Sequence, residues 1–75
     1  MERYKNLGGD SGVSAYEIGA ESITVQFNTG AVYHYTYRSA GSANIEKMKL
    51  LAVAGKGLNS FITRNVKKGY ESKLR

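Results

Sequence analysis

An α+β domain is the fold class this sequence predicts, and three observations predict it. Apolar and polar residues alternate with period two on both sides of a short loop in residues 23–37, apolar residues recur at helical spacing from residue 42 onward, and glycines punctuate both regions. Strands first and helices afterwards argue for a three-stranded antiparallel β-meander followed by two helices packed on one face.

The elements follow in order. Residues 1–12 end in Gly8-Gly9-Asp10-Ser11-Gly12, a composition expected to leave a flexible N-terminal segment. Residues 13–18 read as the first strand, and Gly19-Ala20-Glu21-Ser22 as a turn. Residues 23–28 and 31–37 read as a β-hairpin, the second arm rich in β-branched and aromatic residues. Its loop decides where the tyrosines face. A three-residue loop, Asn28-Thr29-Gly30, suits a type I turn closed by a left-handed glycine. It sets Val25 across from Tyr33 and Ile23 across from Tyr35, so Tyr33 and Tyr35 share the aliphatic face while Thr24, Gln26, His34 and Thr36 share the other. A two-residue loop would exchange the faces. The first register is preferred because it yields one apolar and one polar face.

Ser42 is a good N-cap for a helix running to Ala54 and stopped by Gly55. Ile45, Met48, Leu51 and Ala52 form its main stripe, whereas Leu50 and Val53 point elsewhere, leaving the helix apolar on more than one side. After Gly55-Lys56-Gly57, a second helix spans residues 58 to about 67. It carries Leu58, Phe61, Ile62 and Val66 on one face and Ser60, Arg64, Lys67 and Lys68 on the opposite one. Gly69 stops it, residues 13–70 make the domain, and residues 71–75 read as a charged tail.

Composition narrows the function. Seventy-five residues make one domain, which buries only roughly 60% of its unfolded surface. Without cysteine, neither disulfides nor a thiolate metal site can supplement that core. The first residues lack the apolar run of a signal peptide, and the apolar stretch at residues 50–54 is too short to cross a bilayer. A cytoplasmic protein with no membrane partner is expected. The net charge of +5 is uneven: residues 1–38 carry three basic against four acidic side chains, residues 39–75 eight against two. A basic half beside a near-neutral half is a footprint for a polyanion, although lysines also keep small proteins soluble.

Catalysis is not expected. One histidine and no cysteine exclude a Cys/His pair and a multi-histidine metal site, and Glu17, Glu21, Glu46 and Glu71 have no spacing that would converge two of them. No cofactor motif is present: Gly55-Lys56-Gly57 lacks the spacing of a phosphate loop. The start of the second helix, with Lys56 and Asn59, remains either a phosphate contact or a helix–helix corner that needs glycine for its backbone angles. The tyrosines are either a stacking platform for bases or core residues, and the hairpin register favours the core for Tyr33 and Tyr35. Tyr37, at the strand end, is the more reachable ring.

The order of these features resembles the KTSC domain, a small family named after the C-terminal extension of some lysyl-tRNA synthetases. The matching residues are Phe27, Gly30, Val32-Tyr33-His34-Tyr35, Gly55, Asn59, Ile62 and the segment 68–70, so the resemblance spans residues 11–70. The chain departs from it in having no proline before the first helix, Gly57 where an aromatic residue is common, and Phe61 at a usually polar position. The resemblance implies the strand-then-helix fold and, from the family's occurrence beside a tRNA-handling enzyme, RNA binding.

The expectation is therefore a non-catalytic nucleic-acid-binding module, its partner RNA, using a basic helical surface. Arg38, Lys56, Arg64, Lys67 and Lys68 are the candidates for phosphates, Asn59 for a polar contact and Tyr37 for stacking. The alternative is a protein-interaction module, an adaptor or a phage-type inhibitor, acting through the apolar and basic helix surfaces, alone or as a homodimer.

Overall fold

The computed structural model describes residues 1–7 and 12–75. An antiparallel sheet has five strands in the order β1-β2-β3-β4-β5: Glu2–Arg3, Val13–Ile18, Ser22–Phe27, Val32–Thr36 and Tyr70–Lys73. Between β4 and β5 the chain forms helices α1 (Tyr37–Ala40), α2 (Ser42–Ala54) and α3 (Leu58–Asn65). The α+β class holds, but the three-stranded meander with two helices is corrected to five strands and three helices among the described residues.

The two extra strands come from segments expected to be a flexible start and a charged tail. Neither has apolar alternation, because each joins the sheet through backbone hydrogen bonds at an edge. β1 pairs with β2 through Glu2↔Tyr16 and Arg3↔Ala15, and Tyr4 N–H donates to the Ser14 carbonyl at 3.0 Å. Tyr4 then turns inward, 3% exposed, and its hydroxyl accepts from the Leu58 N–H at 3.3 Å. β5 pairs with β4 through Tyr33↔Lys73, His34↔Ser72 and Tyr35↔Tyr70, and Leu74 N–H continues to the Val32 carbonyl at 2.7 Å. The flexibility expected of Gly8-Gly9-Asp10-Ser11 lies outside the described residues.

The hairpin takes the three-residue loop. Ile23 pairs with Tyr35 and Val25 with Tyr33, Phe27 N–H donates to Ala31 at 2.8 Å, and Gly30 closes the turn at φ +93°. A side chain there would be strained, so the glycine sets the register and with it the buried face.

The third strand was expected to reach Tyr37, but β4 ends at Thr36. Thr36 Oγ1 accepts from Ser39 N–H while Ser39 Oγ accepts from Thr36 N–H, a reciprocal cap that starts α1 at Tyr37. α2 begins at Ser42 as expected, with Gly41 rather than Ser42 in the cap position and no side-chain cap bond. Left-handed Gly55 ends it by donating to Leu51 and Ala52. α3 stops at Asn65 instead of near residue 67, because Val66 leaves helical geometry at φ −134°.

One core joins sheet and helices. Ile23, Val25 and Tyr35 from the sheet meet Ile45, Met48 and Ala52 of α2 and Leu58 and Ile62 of α3, with Tyr4, Val13 and Val66 closing the ends. At about 25 cal/mol per Å² of apolar area removed from water, this cluster is the main favourable contribution to folding. The helices cover one face of the sheet. The opposite face carries Thr24, Gln26, His34 and Thr36, with His34 Nδ1 and Thr24 Oγ1 hydrogen-bonded at 2.8 Å.

Candidate functional site

A groove of about 310 Å³ runs between the β3–β4–β5 side of the sheet and α3. Phe27, Tyr33, Tyr35 and Tyr70 form its sheet wall; Asn59, Ile62 and Thr63 form its helix wall, with Lys67 and Lys68 completing the lining. Local structure explains each placement. The hairpin register turns Phe27, Tyr33 and Tyr35 toward the helices, and β5 adds Tyr70 on that same face through its pairing with Tyr35. The early end of α3 releases Lys67 and Lys68 from the helical wheel that would have carried them away from the groove.

The aromatic wall is a continuous set of ring contacts. Tyr33 lies edge-on to Phe27 at 5.6 Å and tilted by 56° to Tyr70 at 4.7 Å, and Tyr70 meets Tyr35 edge-on at 6.3 Å. Such pairs add about 0.5–1.5 kcal/mol each beyond their area burial. Tyr35 is 1% exposed, and its phenol is pushed up to about 12, first by burial and then by Tyr33 and Tyr70. It stays neutral and structural. Tyr70 is 37% exposed, the most open ring of the four. Lys73 Nζ stands 5.7 Å from the Tyr33 ring centre, adding a third ammonium group beside the groove. Among the described residues no carboxylate lines it.

The seven residues expected at a site divide into groups. Asn59, Lys67 and Lys68 come together in the groove. Arg64 is exposed on α3 and Lys56 is exposed at the α2–α3 corner, neither lining it. At that corner the Leu58 N–H is buried and already bonded to the Tyr4 hydroxyl, and the Gly55 carbonyl accepts from Leu7 N–H at 2.7 Å. The corner is thus tied to the N-terminal segment.

Tyr37 and Arg38 line a different concavity, with Glu21, Ser22, His34, Thr36 and Glu71. Tyr37 is held by its neighbours: its hydroxyl donates to Glu46 Oε2 at 2.6 Å, and Lys49 Nζ, 2.9 Å from the same oxygen, sits 5.7 Å from the ring centre. The hydrogen bond to Glu46 raises the Tyr37 phenol above its ordinary value, and Tyr37 followed by Lys49 lowers the Glu46 carboxyl. The two carboxylates in this concavity oppose a phosphate. Thr36 Oγ1 also donates to Glu71 Oε1 at 3.0 Å, closing it toward β5.

Sequence reasoning left out Phe27, Tyr33, Tyr70, Thr63 and Lys73. No apolar alternation marks β5, because the polar Ser72 stands between Tyr70 and Leu74 on the same side of the strand. Among the described residues no three His, Cys, Asp or Glu side chains gather as a metal ion would need, and no helix is long and apolar enough to cross a membrane.

A second surface is apolar. Leu50 is 67% and Val53 58% exposed on the outer ridge of α2, and Val53 shares a shallow concavity with Met1, Tyr16 and Ile18, edged by Glu2 and Glu17. No family model matches the chain, and no curated protein or solved structure matches it either.

Proposed function

We propose that the chain is a small, non-catalytic RNA-binding module of the cytoplasm, with the aromatic and basic groove as its ligand site. One observation carries the reading: Lys67, Lys68 and Asn59 meet Tyr33 and Tyr70 in a single groove that no carboxylate lines among the described residues. Lysines there neutralise phosphates, and each neutralised phosphate releases a condensed counterion. Lys56 and Arg64, exposed outside the groove, add to the positive field that steers a polyanion toward it. The motif order resembling the KTSC domain supports the same ligand. Titrating the protein into a labelled RNA pool at low salt tests the proposal: measurable affinity that falls steeply as salt is added is expected. No binding at low salt refutes it.

A specific observation favours a second reading. Leu50 and Val53, on a helix whose opposite side already fills the core, are exposed enough to dock a protein partner or a second copy of the chain. If RNA fails to bind, sedimentation of the chain alone and pull-down with substitutions at these two positions decide this reading.

A further inference from the structure

We infer that the groove seats one unstacked base, so that the module selects single-stranded over duplex RNA. The inference rests on the RNA-binding reading and adds what fills the groove. Size comes first: about 310 Å³ is at the small end of ligand pockets, which run from about 300 to 1,000 Å³. It admits one nucleotide, not the width of a helix.

Chemistry points the same way. The sheet wall is aromatic, and Tyr70 is its most exposed residue. Stacking on such rings is sequence-tolerant because every base has a π-face. Across the groove, the Asn59 carboxamide supplies both a donor and an acceptor and the Thr63 hydroxyl can serve as either, matching the mixed donor and acceptor edge of an unpaired base. Lys67 and Lys68 in the lining and Lys73 beside Tyr33 are placed for the flanking phosphates.

A duplex keeps its bases stacked and their pairing edges occupied, so it can satisfy the lysines but not the rings or Asn59. An acidic peptide can likewise satisfy the lysines while leaving the ring faces without a flat partner. Only a single strand engages Tyr70, Asn59, Thr63 and the lysines together.

The test uses the full chain and fluorescence anisotropy with a labelled oligouridine. A blunt RNA duplex of equal phosphate number, uridine monophosphate, inorganic polyphosphate and polyglutamate serve as competitors. The single strand is expected to bind about tenfold more tightly than the duplex, and Tyr70→Leu to weaken it about tenfold, in line with base–aromatic stacking elsewhere. Tyr70→Phe keeps the ring and retains the affinity. Tyr70→Leu leaves polyphosphate competition unchanged, and its thermal midpoint reports whether the variant is folded. Asn59→Ala, distant from the β5 pairing, gives a second reading and is expected to weaken the single strand alone.

Equal affinity for duplex and single strand, with no effect of Tyr70→Leu or Asn59→Ala, overturns the base site while leaving RNA binding intact. Competition by polyglutamate as effective as by unlabelled oligouridine also overturns it. Absence of binding to any polyanion overturns both this inference and the reading beneath it.

Discussion

If the ligand lies in the groove, the number of ammonium groups there fixes how steeply binding depends on salt. Three lysines are placed for phosphates: Lys67 and Lys68 line the groove and Lys73 stands over Tyr33. For single strands the logarithm of the binding constant falls with the logarithm of salt by about 0.7 per neutralised phosphate, giving a slope of about −2.1. Raising salt from about 50 to about 200 mM then lowers affinity about 20-fold. Adding the exposed Lys56 and Arg64 as direct contacts would bring the slope to about −3.5 and the loss to about 130-fold.

The perturbation is the pair Lys67→Gln and Lys68→Gln, measured by anisotropy across a salt series with oligouridine. The slope is expected to fall to about −0.7, a loss of only about threefold over the same range. Lys56→Gln with Arg64→Gln is expected to slow association without changing the equilibrium slope by a full contact each. A slope that ignores Lys67 and Lys68 but falls with Lys56 and Arg64 would move the ligand to the outer helical strip. Salt-independent binding would remove the electrostatic argument altogether.

Further outcomes follow from the fold. Gly55→Ala is expected to cost about 2 kcal/mol, because Gly55 sits at φ +80° and an added Cβ would lie 2.7 Å from the Lys5 Cβ. Calorimetry should show a drop of about 10–15 °C, and Lys5→Ala should give no relief since it keeps the conflicting atom. Tyr35, with its phenol raised to about 12 in the folded chain against about 10 unfolded, keeps its proton more tightly when folded. Its contribution is therefore intact below pH 10 and lost as pH rises toward 12. Denaturant titrations at pH 9 to 12 should show this loss, and Tyr35→Phe should reduce it. Leu50→Gln with Val53→Gln should leave stability within about 0.5 kcal/mol and oligouridine affinity unchanged. A loss of RNA affinity in that variant would place the RNA on the wrong face.

The legible parts of the fold were those set by local chemistry. Asn28-Thr29-Gly30, taken with the apolar alternation on either side of it, points to the hairpin register, and the pairs Ile23↔Tyr35 and Val25↔Tyr33 follow from it. α2 was legible from its glycine stop and apolar stripe. β1 and β5 were not, because Glu2–Arg3 and Tyr70–Lys73 are held by edge hydrogen bonds that need no apolar pattern. The site follows the same division. Basic side chains announce themselves by charge, so Lys67 and Lys68 were visible. Their placement depended on where α3 ends, and Tyr70 joined them only through a strand paired across more than thirty residues, Tyr35↔Tyr70. Tyr37 reads as a strand end in the sequence, yet the Glu46 carboxylate, nine residues on in α2, decides how it is held.

The hydrogen bond from Leu58 to the Tyr4 hydroxyl turns one amide into a reporter. The first N–H groups of a helix have no partner within it and ordinarily exchange with solvent quickly. The Leu58 amide instead is buried and bonded to a side chain fifty-four positions earlier. Its hydrogen exchange therefore tracks release of the N-terminal segment rather than fraying of α3, and a deuterium clock at one helix start reads the docking of the opposite end of the sequence.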